Sequence, residues 1–314
     1  MIDPDTDSWA KRKRILLTGA TGMIASALHP FLTQRGWQVT RLSRSGSDGT
    51  LQWDPAAGRL DVADIEGFDA VVHLAGASLA DRRWTDKRKK LLHSSRIDST
   101  QLLVSTLANA SSPPRIVISA SAIGYYGNTG SREVDESGAA SGDFLGRLCR
   151  DWESEALMAA ELFGARVITL RMGIVLSASG GALARMLPPF RLGVGGRLGQ
   201  GSQWMSWIAL NDLLQVIETC LTDNRLHGPV NAVAPEPVRN ADFSASLASA
   251  LGRPCFLPVP ASLLKLAFGE LAQATLLSNS RVLPMRLSSV GHAFQCPTLE
   301  EAFGRILQTN PLGE

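Results

Sequence analysis

The residues of this chain with the clearest chemical potential lie between a short apolar run and a helical pattern, in Thr18-Gly19-Ala20-Thr21-Gly22-Met23-Ile24-Ala25. Gly19 permits a tight turn, and Gly22 lets backbone approach a pyrophosphate. The helix that follows adds unpaired N–H groups and the positive end of its dipole. Gly19, Thr21, Gly22, Met23 and Ile24 are therefore the candidate pyrophosphate residues of a dinucleotide site. Ala25 stands where a third glycine often allows close helix–strand packing, and it is small enough to keep that packing. The second strand ends in Leu42-Ser43-Arg44, with no acid until Asp48. A carboxylate there would accept from a ribose 2′-hydroxyl and repel a 2′-phosphate. Arg44 could instead pair with a 2′-phosphate while Ser43 donates to it, which favours NADP(H) over NAD(H). The plainer alternative for Arg44 is a surface arginine.

The elements that must position these groups follow from hydrophobic period. Ile15-Leu16-Leu17 reads as a buried strand, and residues 23–35 carry Ile24, Leu28, Phe31 and Leu32 on one helical face. Gly36 closes that helix, and Pro30 should bend it. Further strands are expected at 39–42, 70–74, 116–118, 167–170 and 230–233, alternating with helices near 86–110, 143–163 and 211–222. In the 143–163 helix Leu145, Leu148, Trp152, Ala156 and Ala159 face inward. Strand–helix–strand repeated this often predicts an α/β fold, a doubly wound parallel sheet of the Rossmann type covered on both faces. Residues 1–13 are expected to be a flexible extension, and 14–176 the dinucleotide-binding domain with returns near 211–234. Residues 177–210 and 235–314 are then a smaller, helix-rich, substrate-side lobe. Asn240 is a candidate N-cap, and Thr298 with Glu301 spells a capping box.

Several segments together resemble a known family. Thr18 to Ile24, His73-Leu74-Ala75-Gly76 and Ser119-Ala120-Ser121-Ala122-Ile123-Gly124-Tyr125-Tyr126-Gly127 are similar to the extended short-chain dehydrogenase/reductases. Arg83-Trp84, Ser95-Arg96-Ile97, Phe144-Leu145, Cys149 to Glu153, Gln203 to Ile208, Arg281 to Pro284 and Pro297 to Ala302 resemble the atypical epimerase-like branch. That branch is called the NAD-dependent epimerase/dehydratase family, and the resemblance covers about residues 14–308. It implies that Leu74, Ala75, Gly76 and Ser119 line the cofactor and that Ser121 is the active-site serine. For Arg96 it implies a cofactor phosphate, with a helix-surface ion pair as the alternative.

The same resemblance implies a Tyr-x-x-x-Lys pair whose lysine acidifies the phenol for acid–base work. This chain departs from that pattern. Its tyrosines are Tyr125 and Tyr126, the residues four further on are Thr129 and Gly130, and after Lys90 the sole lysine is Lys265. The helix that should carry the pair offers Leu145 and Cys149. Ser121 and either Tyr125 or Tyr126 remain as candidate catalytic residues, and packing is an equal alternative for both tyrosines. Asp143 and Glu153 are expected to be solvent-facing acids, Cys149 a small apolar filler and His73 a satisfied core histidine. The stretch Gly193 to Ile208, with Arg197, Gln203, Trp204 and Trp207, resembles a substrate-side loop whose indoles would wall an organic ligand. For Trp207 an anchoring role is an equal alternative.

Composition narrows the classes. The 314 residues are 19% charged and 45% hydrophobic with a formal net charge of +2, so no strong field points to nucleic acid or an anionic membrane. The run Lys11-Arg12-Lys13-Arg14 reads as a solvated lead-in to the first strand. Cys149, Cys220, Cys255 and Cys296 lack metal-ligand or C-x-x-C spacing and read as free, mostly buried thiols. No signal peptide or spanning segment is visible, and no metal site is expected. The expectation is a cytoplasmic monomer or homodimer that binds NADP(H) and a small-molecule substrate, as an oxidoreductase or epimerase-like enzyme. The alternative is a non-catalytic NADP(H)-binding redox sensor or regulatory protein.

Overall fold

The computed structural model describes residues 13–46 and 49–308, so Asp48 and most of the expected extension lie outside the described residues. The chain opens with β1 (Arg14–Thr18), α1 (Met23–Gln34), β2 (Gln38–Ser43), β3 (Thr50–Gln52), β4 (Ala70–His73), α2 (Asp86–Leu107), β5 (Ile116–Ala122) and α3 (Phe144–Phe163). It continues through β6 (Arg166–Met172), β7 (Ile174–Ser177), α4 (Gly181–Arg191), β8 (Trp204–Met205), β9 (Trp207–Ala209), α5 (Leu210–Thr222), β10 (Gly228–Ala232) and β11 (Val238–Arg239). The remainder is helical: α6 (Asn240–Ala250), α7 (Ala261–Phe268), α8 (Met285–Ser289) and α9 (Leu299–Gln308).

Seven strands form one sheet in the order β10-β6-β5-β4-β1-β2-β3, with every pairing parallel. Strand order therefore reverses between β1 and β4, where open sheets of this kind bind ligands at their carboxyl edge. On one face Ile15, Leu17, Val72, Ile118, Ile168 and Leu170 pack under Leu28 and Leu32 of α1 and Leu213 and Ile217 of α5. On the other, Leu16, Val71, Val117 and Val167 meet Leu103 and Leu107 of α2 and Ala156 and Ala159 of α3. A third cluster joins Leu183 and Leu187 of α4, Trp207 of β9, Phe243 of α6 and Phe303 of α9.

The two faces differ at their carboxyl ends. Alternation along each strand puts Thr18, His73, Ser119, Ser121, Thr169 and Arg171 on the α2/α3 face, two or four residues beyond the apolar Leu16, Val71, Val117 and Val167. All six polar residues are buried. The opposite face stays apolar to the end. A buried polar row of this kind must draw its hydrogen bonds from inside the protein, and among the described residues all but Thr169 Oγ1 find one.

Several local expectations are refined. β5 runs on to Ala122, and the short β3 adds an edge strand that no periodic signal announced. α1 continues through Pro30 as one element. Asn240 is the first residue of α6, and its Oδ1 accepts from Leu198 N at 2.7 Å instead of capping its own helix. The capping box is formed, with Thr298 N donating to Glu301 and Glu301 N donating to Thr298 Oγ1. Among the described residues no helix is long and apolar enough to cross a membrane.

His73 ties the sheet to both helices on its face. Its Nδ1 lies 2.7 Å from Thr18 Oγ1 and its Nε2 3.0 Å from Thr100 Oγ1. Thr100 spends its hydrogen on Arg96 O at 2.6 Å and accepts from Trp152 Nε1 at 3.0 Å. Thr100 is thus an acceptor toward His73, which fixes the proton on Nε2 and leaves Nδ1 to accept from Thr18. Thr18 Oγ1 in turn accepts from Leu74 N and Ala75 N. Burial pulls the imidazole from 6.5 down to about 4. Between those values the unfolded chain binds the proton that the folded chain refuses, so stability rises with pH across this window. It is complete above pH 6.5 and falls as the pH drops toward 4. Up to about 3 kcal/mol is at stake. Urea midpoints measured across that range should show this acid limb in the wild type and a flatter one in His73→Asn. Parallel profiles would remove His73 as the cause.

Candidate functional site

The turn between β1 and α1 is built by close approach of two backbones. Gly19 has φ +70°, and a Cβ on it would lie 2.7 Å from the Leu74 carbonyl oxygen beyond the end of β4. Only glycine meets both the left-handed backbone and the lack of space. Gly22 N donates back to Gly19 O at 2.8 Å, and Gly22 is the N-cap of α1 with no side chain to cap it. The first turn of α1, at Met23 and Ile24, thus keeps N–H groups outside the intrahelical ladder. Thr21 and Gly22 are exposed, Met23 and Ile24 half-buried. Ala25 is buried against the core beneath them.

The other cofactor candidates fall around this turn. Leu74 and Ala75 hang from Thr18 Oγ1, and Ala77 N donates to Ser95 Oγ at 3.1 Å, which leaves Gly76 exposed between them. On the other side of β1, Arg44 is exposed. Ser43 is buried, and its hydroxyl accepts from Gly46 N at 3.3 Å and lies 3.1 Å from Thr50 Oγ1. That hydroxyl lies within the β2–β3 connection. Ser119 is buried in β5 beside His73, its hydroxyl turned to Ala120 O at 3.4 Å. Its position is inside the sheet face, not at the cleft surface. Arg96 is buried and not on the helix surface, so the alternative of a surface ion pair falls away.

The catalytic candidates lead into a buried ionic network. Arg171 of β6, 3% exposed, donates through Nε and Nη2 to the two carboxylate oxygens of Glu153, each at 2.8 Å. Its Nη1 donates to the Tyr126 hydroxyl at 2.8 Å. Ser121 Oγ donates to Glu153 Oε1 at 2.6 Å, and the Tyr126 hydroxyl donates to Asn231 Oδ1 at 2.7 Å. Asn231 N reaches Glu136 Oε1, and Asn231 Nδ2 reaches Leu283 O. Glu153 is therefore a buried counter-ion, a correction to its expected solvent-facing position. Asp143 does face solvent, as the N-cap of α3 accepting from Gly146 N at 2.8 Å.

Electrostatics separate the candidates. Burial outweighs the Arg171 charge and pushes the Tyr126 phenol up to about 12. Burial opposes the Arg171 cation, but its hydrogen bonds and charge contact with Glu153 win and raise it further. Burial, reinforced by Glu153, pushes the Cys149 thiol up to about 12, so it is a neutral filler. Ser121 and Tyr126 thus have their hydroxyl hydrogens engaged inside the protein. Tyr125 differs: it is half-buried, its ring lies 3.5 Å under the Arg171 guanidinium, and its hydroxyl makes no hydrogen bond to a described residue. Arg171, Asn231 and Glu136 were not singled out from sequence. The signal for Arg171 was present in the alternation Val167, Thr169, Arg171 on a buried face.

On the substrate side Trp207 is fully buried, its indole N–H donating to Glu236 O at 3.2 Å, so it anchors. Gln203 is likewise internal, donating to Leu198 O and Leu276 O. Trp204 is half-buried between the Arg239 and Arg281 guanidinia, 4.6 and 4.3 Å from its ring. Among the described residues no cluster of three or more His, Cys, Asp or Glu could hold a metal ion.

Breaking a buried pair from one side strands a charge, which costs about 3–5 kcal/mol, whereas replacing both partners by apolar residues is far milder. Glu153→Gln should therefore lower unfolding stability by about that amount. The pair Glu153→Leu with Arg171→Met should recover most of the loss in denaturant titrations. A near-neutral Glu153→Gln would show that the guanidinium is not held by this carboxylate.

Comparison with known proteins agrees with this architecture. The model of the NAD dependent epimerase/dehydratase family matches residues 15–232, and a domain of unknown function (DUF1731) matches residues 259–306. Epimerase family protein Mb2239 of Mycobacterium bovis is 41% identical over 292 residues, 92% of this chain and 96% of that one. The crystal structure of human epimerase family protein SDR39U1 (isoform 2) with NADPH has a TM-score of 0.86 at 35% identity, covering 93% of this chain and 98% of that one. A nucleoside-diphosphate sugar epimerase from Corynebacterium glutamicum has a TM-score of 0.76 at 31% identity, covering 94% of this chain and 59% of that one. With its parallel seven-stranded sheet, its glycine turn and these relatives, the chain belongs to the NAD dependent epimerase/dehydratase family.

Proposed function

We propose that this protein binds NADP(H) across the carboxyl edge of β1, β2, β4 and β5 and acts as an oxidoreductase or epimerase-like enzyme on a small organic substrate. The observation that carries the reading is the cradle at Gly19, where a Cβ would collide with Leu74 and where the first turn of α1 presents free N–H groups. The residues fit a dinucleotide: Gly19, Thr21, Gly22, Met23 and Ile24 would hold the pyrophosphate, and exposed Arg44 the 2′-phosphate. The human relative crystallised with NADPH supports the same cofactor. When bound, the nicotinamide supplies a site that accepts or gives a hydride.

Around that site the chain contributes binding and a proton. Leu74, Ala75 and Gly76 form the floor beyond β4, and segments 177–210 and 235–308 would close over the substrate. Tyr125 is the proton donor in this reading. Its ring is held by the Arg171 cation, and its hydroxyl is the one among Ser121, Tyr125 and Tyr126 not committed to an internal partner. Ser121 and Tyr126 act through Glu153 and Arg171, fixing the guanidinium that supports Tyr125.

A second reading has its own observation. With Ser121 and Tyr126 engaged inside and Cys149 neutral where the family pattern has lysine, the site is poor in acid–base groups. That favours a non-catalytic NADP(H) sensor. Absence of turnover across a panel of carbonyl compounds and sugar nucleotides, with a cofactor-dependent change of shape, would select it.

Calorimetric titration should give tighter binding of NADPH than of NADH. Arg44→Ala should erase most of the difference, since a charge-assisted pair contributes about 1.5–3 kcal/mol. Equal affinities in the wild type would remove Arg44 from cofactor choice. For catalysis, Tyr125→Phe should lower turnover by about 10²–10⁴ while leaving NADPH affinity intact. Tyr126→Phe should act first on stability, because it breaks bonds to Arg171 and Asn231. The reverse pattern would exchange the roles of the two tyrosines.

A further inference from the structure

Two segments of the C-terminal half expose apolar side chains next to each other. Seven of the eleven large apolar residues that stand out to solvent among the described residues fall at 192–194 and 256–268. Leu192, Phe256 and Leu266 are the extreme cases, 78%, 71% and 73% exposed. The backbone joins the two segments: Gly199 N donates to Val259 O at 2.8 Å, and Val259 N donates to Arg197 O at 2.9 Å. A Cβ on Gly193 would stand 3.6 Å from the Pro254 ring. Then comes α7, with Leu264 buried beneath it and Leu263 and Leu266 exposed. Apolar residues scattered singly on a surface are ordinary, but a contiguous patch marks a contact.

The charge around this patch is of one sign. The chain has no acid between Glu161 and Asp212, and none between Asp242 and Glu270. Those stretches set Arg191, Arg197, Arg253 and Lys265 among the apolar residues. All four are exposed, and none is in an ion pair with a described residue. At the far end of α7 a Cβ on Gly269 would lie 3.1 Å from Arg83, and Lys89 pairs with Glu270 at 2.6 Å. The start of α2 thereby adds Arg82, Arg83, Lys87 and Lys90 to the rim, all exposed, with Asp86 the one acid among them. The formal net charge of +2 averages over this segregation.

We propose that this face seats the protein on an anionic lipid surface. Leu192, Phe256 and Leu266 would enter the acyl boundary, and the surrounding cations would meet lipid phosphates. Charge decides the partner. In a two-fold contact with a second copy, the same cations would face each other, and neither segment holds a carboxylate to pair them. An anionic bilayer answers both halves of the pattern at once. Shape agrees with charge. Side chains this exposed line no groove, and a protein partner would need a separate hole for each, whereas lipid takes protruding groups without a preformed shape. The attachment is peripheral, in keeping with the lack of a membrane-crossing helix among the described residues. It stands independently of the cofactor and substrate readings.

The test is co-sedimentation of the full-length protein with vesicles. Vesicles of equimolar phosphatidylglycerol and phosphatidylcholine should carry it down, and vesicles of phosphatidylcholine alone should not. Arg191→Gln with Arg253→Gln should weaken partition into the anionic vesicles about 30-fold, at roughly a factor of five for each cation near the surface. Phe256→Ser with Leu266→Ser should weaken it at least about 10-fold, because less apolar area enters the lipid. All four positions are exposed, so thermal unfolding midpoints should stay near that of the wild type. Equal partition into both kinds of vesicle, or none into either, would overturn the proposal. So would full binding by the Phe256→Ser, Leu266→Ser protein, which would leave only diffuse attraction of cations. A concentration-dependent dimer abolished by those same two changes would assign the face to a second copy instead.

Discussion

A guanidinium inside a parallel sheet is tolerated only if a carboxylate and further acceptors meet it there, and Arg171 imposes that constraint on this fold. Its fork takes both oxygens of Glu153, so α3 must pack on β6 in one register. Glu153 has acceptor capacity left, which captures Ser121 of β5. The third donor of the fork captures Tyr126, and Tyr126 captures Asn231 of β10. Asn231 then binds Leu283 O and Glu136, tying in the segment before α8. One buried charge thus couples β5, β6, β10, α3 and the C-terminal region. Tyr125 is placed by the same charge, through its ring.

The constraint also explains why family chemistry does not transfer residue for residue. In a site with a Tyr-x-x-x-Lys pair, a lysine would supply positive charge from α3. Here that helix presents Leu145 and Cys149, both buried. Cations reach the region from elsewhere, Arg171 from β6 and Arg96 from α2. Arg171 is neutralised by Glu153, whereas Arg96 has no ion-pair partner among the described residues. The polar ends of β1, β4, β5 and β6 on the α2/α3 face provide the setting for both.

Much of this was legible from residue order. The apolar runs at Ile15, Val71, Val117 and Val167 are buried on both sides, and only a doubly covered parallel sheet hides both faces of a strand. Boundaries moved where polar residues continue a strand: β5 extends through Ser119 and Ser121 because their hydroxyls find internal partners that periodicity does not count. Asn240 was misread because its side chain serves Leu198, forty-two positions away, and not its own helix. Ser43 was placed at the right strand end, but its hydroxyl turns inward to Gly46 and Thr50.

The sequence by itself determined the β/α alternation, the glycine turn and the absence of Tyr-x-x-x-Lys, because these depend on local period, local backbone freedom and residue identity. Glu153 shows the limit. Cys149, Trp152, Glu153 and Ala156 share a helical face and are buried together, yet an isolated glutamate in a helix reads as a solvated one. Only the packing of α3 on β6 brings Arg171 to it, and the energy that makes burial acceptable resides in the pair. The fate of Ser121, Tyr125 and Tyr126 was decided at that same level. Which hydroxyls stay free depends on contacts across β5, β6 and β10, and those contacts exist only once the sheet has closed.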